Sequence, residues 1–94
     1  MPKDRRHASI MFTDIVGYTA LMGRDEQKAI KLVRKNREIQ QLLVEKHRGK
    51  WLKEMGDGTL CSFSSGLDSV NCAIEIQVTM ISDFDGQLRI GIHL

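Results

Sequence analysis

Apolar residues in this chain fall into short blocks separated by polar runs, and their spacing changes from block to block. From His7 to Val16 the run is short, largely apolar and closed by Gly17, which predicts a central strand covered on both faces. Tyr18 to Met22 predicts a short helical turn that ends near Gly23. A long helix then opens at Arg24 or Asp25 and runs to about Lys46. Ala29, Leu32, Val33, Asn36, Ile39, Gln40 and Leu43 recur along it at three- and four-residue spacing, on one stripe. Gly49 stops this helix, after Lys46, His47 and Arg48 have placed positive charge where the helix dipole favours cations.

Two short strands follow, Lys50 to Met55 and Thr59 to Phe63, joined through Gly56-Asp57-Gly58, because Asp-Gly between extended segments signals a hairpin. Ser65 to Asp68 resembles a capping box, and the helix it opens carries Val70, Ala73, Ile74, Gln77 and Ile81 on one predicted inward face. Asp85-Gly86 turns the chain, and Leu88 to Leu94 alternates so that Leu88, Ile90, Ile92 and Leu94 point inward. The order strand, helix in two pieces, strand, strand, helix, strand is the ferredoxin-like βαββαβ arrangement. It is an α+β fold in which an antiparallel sheet carries both helices on one face. The chain stops at His93-Leu94, at the end of a strand, as a piece of a longer domain would.

Composition narrows the picture by exclusion. The 94 residues make one domain with a thin core. A net charge of +2 is too small for phosphate-driven nucleic-acid binding. Lys28, Lys31, Arg34, Lys35 and Arg37 read as the solvated face of the long helix. Cys61 and Cys72 lie within apolar patterns, with no CxxC spacing and no neighbouring histidine, and read as buried small hydrophobes of a reducing compartment. The N-terminal MPKDRRHA has no apolar segment behind it, and no stretch approaches membrane-spanning length, so the expected location is cytoplasmic. His7, His47 and His93 sit at element ends and read as surface or structural residues. Asp83 and Asp85 read as a turn, Trp51 as core or dimer surface, and Met11, Met22, Met55 and Met80 as packing residues.

The candidate chemistry lies in two carboxylates far apart in sequence. Asp14 ends the first strand and Asp57 sits at the hairpin tip, which this topology folds back beside that strand end. Two carboxylates at one end of a sheet repel unless a cation lies between them. Hard divalent ions take one or two carboxylates together with phosphate oxygens. Val16-Gly17-Tyr18-Thr19 leads from strand into helix, where free backbone amides attract phosphate and glycine permits close approach. Each half alone reads more readily as turn punctuation; the joint placement points to a nucleoside triphosphate.

Phe12-Thr13-Asp14-Ile15-Val16-Gly17-Tyr18-Thr19 resembles the first signature of the class III nucleotidyl cyclases, the adenylyl and guanylyl cyclase catalytic domains. Lys53-Glu54-Met55-Gly56-Asp57-Gly58 resembles their second signature, and Leu88 to Leu94 resembles the strand that precedes their second half. The resemblance covers residues 1–94 as the N-terminal part of such a domain. It implies that Asp14 and Asp57, with the carbonyl of Ile15, bind two Mg²⁺ or Mn²⁺ ions. It implies that Val16, Gly17, Tyr18 and Thr19 hold the triphosphate. Lys53 matches the purine-specifying position, where lysine implies ATP; a lysine donates to adenine N1, an acceptor. The implied reaction converts ATP to 3′,5′-cyclic AMP and pyrophosphate, in a homodimer whose second chain lends Lys53. The asparagine and arginine that such a site uses in the transition state fall outside these residues. That implies a stretch that binds but does not turn over alone, and one open to swapping or self-association at its sheet edge. The rival readings are a non-catalytic pseudo-cyclase or ferredoxin-like dimerisation module and, further off, a diguanylate cyclase. The hairpin reads Met55-Gly56-Asp57-Gly58 and lacks the GG(D/E)EF loop of that last family.

Overall fold

The computed structural model describes residues 9–94; His7 and Ala8, at the start of the first predicted strand, lie outside the described residues. Strand β1 (Ser9–Ile15) is followed by α1 (Tyr18–Arg24) and α2 (Glu26–Lys46). The hairpin β2 (Lys50–Met55) and β3 (Gly58–Phe63), then α3 (Gly66–Asp83) and β4 (Leu88–His93), complete the order. The sheet runs β2-β3-β1-β4 with every pairing antiparallel, so β1 lies between β3 and β4. This is the α+β, ferredoxin-like arrangement that the element order predicts.

Local signals set the boundaries. The Asp25 side chain caps α2 by accepting from the Lys28 amide at 3.1 Å, and the Ser65 hydroxyl caps α3 by accepting from the Asp68 amide at 3.3 Å. At the far end of α2, Gly49 packs so tightly on Phe63 that an added Cβ would collide with the ring. The hairpin differs from its sequence signal by one residue. Met55 already pairs with Gly58, so Gly56 and Asp57 form the turn, and the left-handed backbone falls on Gly56 (φ 56°).

The helices cover one face of the sheet. Ser9, Met11, Thr13 and Ile15 alternate toward them and are buried, while Ile10, Phe12 and Asp14 point to the other face. Here the strand departs from the two-sided expectation. Phe12 is half-exposed on the open face, its ring against Gly91. The core joins Met11, Ile15, Cys61 and Phe63 of the sheet to Leu32, Leu43 and Val44 of α2 and to Cys72, Ile76 and Met80 of α3. Trp51 is half-buried against it.

The inward face of α3 is the largest correction. Ser69, Cys72, Ile76 and Met80 are buried, whereas Val70, Ile74 and Ile81 of the predicted stripe are exposed. This helix is apolar on two sides. The side with small residues docks, because Ser69 can approach β1 closely enough for its hydroxyl to accept from that of Ser9 at 2.7 Å. Ala73 packs partly on the core, and Gln77 donates to the Leu88 carbonyl at 2.9 Å. Leu94 and Met55 are exposed rather than packed, since each lies at an element end beyond the helix layer. His47 Nε2 is hydrogen-bonded to Glu75 Oε1 at 2.8 Å and His93 is exposed, as expected of structural or surface histidines. Arg37, from the solvated stripe of α2, is half-buried and bonded to Glu54. No helix among the described residues is long and apolar enough to cross a membrane.

Burial, above all, pushes both free thiols from 9.0 up to about 12. Only the folded chain disfavours the thiolate, so the unfolded chain releases these protons first. The stability this contributes is complete below pH 9 and is lost as pH rises from 9 toward 12. Ellman's reagent at pH 8 is expected to label the native protein only as fast as it unfolds, and guanidinium to expose both thiols at once. Two thiols reacting natively within the mixing time would contradict this packing.

Candidate functional site

Asp14 is the last but one residue of β1 and points to the open face. Across the ladder its Cα partner is Arg89 of β4. Arg89 Nε donates to Asp14 Oδ1 at 2.8 Å and Nη2 to Oδ2 at 3.0 Å, a two-pronged contact that planar guanidinium and carboxylate groups make readily. Both side chains are accessible, at 71% and 42%, so water and salt screen the pair.

Asp57 arrives from the hairpin. The β1–β3 ladder ends at the Thr13–Thr59 rung, and the next β3-facing amide of β1 belongs to Ile15. That amide donates to Asp57 Oδ2 at 3.0 Å, so the carboxylate takes the place a strand carbonyl would occupy. The hydrogen bond with Asp14, then the charges of Asp14 and Asp57, hold the Arg89 guanidinium still more firmly protonated. Arg89 thus pairs with Asp14, and Asp57 meets the same strand end through the Ile15 amide. Carboxylate oxygens are donors that a hard divalent ion takes, but here Arg89 occupies both oxygens of Asp14 and would have to release them to such an ion. Among the described residues no third acidic, histidine or cysteine side chain joins them, so further ligands would be main-chain or phosphate oxygens.

The turn after β1 lies alongside. Gly17 is left-handed (φ 74°) and starts α1 without a side-chain cap. Leu21 makes the first intrahelical bond back to Gly17 at 3.0 Å, which leaves the amides of Tyr18 and Thr19 in the uncapped first turn. Val16 differs from its predicted companions, because its amide already donates to the Gln87 carbonyl at 2.8 Å. Ile15, Val16, Gly17, Ala20, Arg24 and Lys28 help line an open cleft of about 300 Å³ on this side.

The structure thus brings together Asp14, Ile15, Asp57 and the turn from Val16 to Thr19. Lys53 stands apart, exposed on edge strand β2 with β3 between it and β1. A bulge between Trp51 and Lys53 shifts the register just before it. Its neighbour Glu54 accepts from Arg37 Nε through both oxygens, at 3.1 and 2.8 Å.

Two features escaped sequence reasoning. Arg89 is a lone charge in an otherwise apolar strand, but only the β1–β4 register shows that it faces Asp14. Asn36 and Gln40 are amides four residues apart on a buried helix stripe. That is a signal of a polar network, whose partners Thr13 and Thr59 come from two different strands.

The sequence profile described as "Adenylate and Guanylate cyclase catalytic domain" matches residues 2–94. A Rhizobium meliloti (strain 1021) protein named "Putative adenylate cyclase 3" is 37% identical over 98 residues, which is 96% of this chain and 17% of that protein. Adenylate cyclases of Trypanosoma brucei, solved in their monomeric state, superpose with a TM-score of 0.87 at 17% identity over 98% of this chain and 57% of theirs. The guanylate cyclase domain of RhGC from Catenaria anguillulae, solved in complex with GTP, gives 0.80 at 17% identity over 97% and 57%. The chain spans a little over half the length of these solved domains and a small part of the Rhizobium protein.

Gly17 offers a clean local test. A Cβ there would meet nothing within 4 Å, so Gly17→Ala suffers only the left-handed backbone. The expected loss is about 1 kcal/mol, read as a fall of roughly 4–8 °C in Tm for a domain of this size. An unchanged Tm would mean that the turn is not left-handed in solution.

Proposed function

The chain belongs to the adenylate and guanylate cyclase catalytic domain family, and from that premise we propose that residues 1–94 are the N-terminal part of an adenylyl cyclase catalytic domain, which converts ATP to 3′,5′-cyclic AMP and pyrophosphate. The observation that carries this reading is that Asp14 and Asp57 meet at one strand end, Asp14 within β1 and Asp57 bonded to the amide of the next residue, Ile15. In this reading Asp14, Asp57 and the carbonyl of Ile15 hold two Mg²⁺ or Mn²⁺ ions. Bound there, such ions lower the pKa of the ribose 3′-hydroxyl and neutralise phosphate charge.

The remaining roles belong to the chain itself. The exposed amides of Tyr18 and Thr19 receive triphosphate oxygens, and Gly17 lets them approach. Val16 shapes the turn rather than donating, because its amide is engaged by Gln87. Lys53 donates to adenine N1 in a head-to-tail homodimer, reading from the outer strand a nucleotide whose metal ions the other chain's aspartates hold. That position on β2 favours a role in trans. These residues contain no counterpart of the asparagine and arginine that the resemblance implies for the transition state, so this stretch alone is expected to bind without turnover. A second reading, a non-catalytic dimerisation module, draws support from Arg89, which satisfies Asp14 without any metal.

Thermal melting separates the two. Anything that binds only the native state raises its stability, by about 2.7 kcal/mol at a hundredfold excess over Kd. Mn²⁺ with a non-hydrolysable ATP analogue is expected to raise Tm, and Asp14→Asn or Asp57→Asn to abolish the rise. No rise in the parent, or an equal rise in both variants, would sink the cyclase reading in favour of the module. Lys53→Glu is expected to weaken the ATP analogue at least tenfold while leaving Mn²⁺ affinity alone, and an unchanged nucleotide affinity would remove Lys53 from the purine site.

A further inference from the structure

We propose that Gln40 of α2 is a positioning residue for the two-aspartate site, its amide fixing the Thr13–Thr59 rung from which Asp14 and Asp57 both extend. The proposal rests on the cyclase reading for what the aspartates do, but not for how they are held.

Gln40 is fully buried, and Thr13, Thr59 and Asn36 are at most 5% exposed. Its Nε2 donates to Thr13 Oγ1 at 3.1 Å and to Asn36 Oδ1 at 2.7 Å, and its Oε1 accepts from Thr59 Oγ1 at 3.0 Å. The two threonine hydroxyls lie 2.6 Å apart, on residues that are direct partners in the β1–β3 ladder. Among the described residues no buried side-chain nitrogen or oxygen lacks a partner, so the network is complete.

Leucine at this position, like the neighbouring Leu32 and Leu43, would also hold α2 on the sheet, without the cost of desolvating an amide. What the amide adds is direction. A complete buried network fixes one arrangement of its members, whereas apolar contact tolerates sliding. Threonine transmits this well because its branched Cβ restricts χ1.

The rung sits where such fixing matters. Thr13 is bonded directly to Asp14, Thr59 is two residues past Asp57, and beyond the rung the β1–β3 ladder stops. Beyond it, the hydrogen bond that ties the strand to the hairpin turn is the Ile15 amide on Asp57. If the rung slides, Asp57 leaves Ile15 and the distance between the two carboxylates changes. A metal site tolerates only about half an ångström of such error.

The test is Gln40→Met, which keeps length and apolar bulk but removes the amide. Two readouts are taken: hydrogen exchange at the Ile15 amide and Mn²⁺ affinity. Ile15 is expected to exchange at least tenfold faster, with Mn²⁺ binding at least tenfold weaker, while the ladder amides of Met11 and Cys61 keep their protection. Ile76→Val, a core truncation on α3, is expected to leave both readouts within twofold. The proposal is overturned if Ile15 exchange in Gln40→Met stays within twofold of the parent. It is equally overturned if Ile15, Met11 and Cys61 accelerate by one common factor, the mark of plain destabilisation. Should Gln40→Met not fold, Thr59→Val takes its place, and the same changes in Ile15 exchange support or overturn the proposal. If Ile15 responds as expected but the parent binds no Mn²⁺, the cyclase reading fails and the positioning role stands.

Discussion

A central strand must satisfy the backbone groups on both its edges, and at Ile15 of β1 the strand partner has run out. β3 ends its ladder one rung earlier, so the Ile15 amide takes the carboxylate of Asp57 instead. A hydrogen bond to a charged acceptor is worth on the order of 1–3 kcal/mol, more than a neutral one. The hairpin turn is thereby drawn over the end of β1, and a second carboxylate is delivered beside Asp14. The rest of the site follows from this substitution. Arg89 stands opposite Asp14 because the β1–β4 register puts it there, and the Gly17 turn begins where β1 can pair no further.

The one-sided sheet determines access. With α2 and α3 on one face, alternate residues of β1 divide cleanly: Met11, Thr13 and Ile15 enter the core, while Phe12 and Asp14 are left open. A charged residue at position 14 is tolerated because that face is not covered. The helix side does different work, since Gln40 reaches through the buried layer to the Thr13–Thr59 rung, which lies next to both aspartates in sequence. Core and site are thus coupled through one network rather than merely adjacent.

Much of this was legible in the sequence. Gly17, Gly49, Asp25 and Ser65 are punctuation with local causes, so the strands and helices fall within a residue or two of their predicted limits. Asp14 and Asp57 could be paired from topology alone, because a hairpin beside a central strand must bring its tip to that strand's end. Facing was harder. Helix α3 is apolar on two sides, and periodicity does not reveal that the side bearing Ser69 and Cys72 docks because its small residues allow close approach. The turn slipped by one residue because Gly56 and Gly58 could each supply a left-handed backbone. Arg89 and the Thr13–Thr59–Gln40 network were invisible for another reason: their meaning depends on strand register, which is set by the folded sheet.

On the proposed reading, the end of β1 and the hairpin turn form a single cation site. Paramagnetic broadening of the amide spectrum by substoichiometric Mn²⁺ reads this directly, since broadening falls steeply with distance from the ion. Ile15 and Asp57 are expected to broaden first and together, while Ser9 and Phe63 at the far end of the same strands stay sharp. Broadening centred on Asp83 and Asp85, or spread evenly over the sheet, would contradict it.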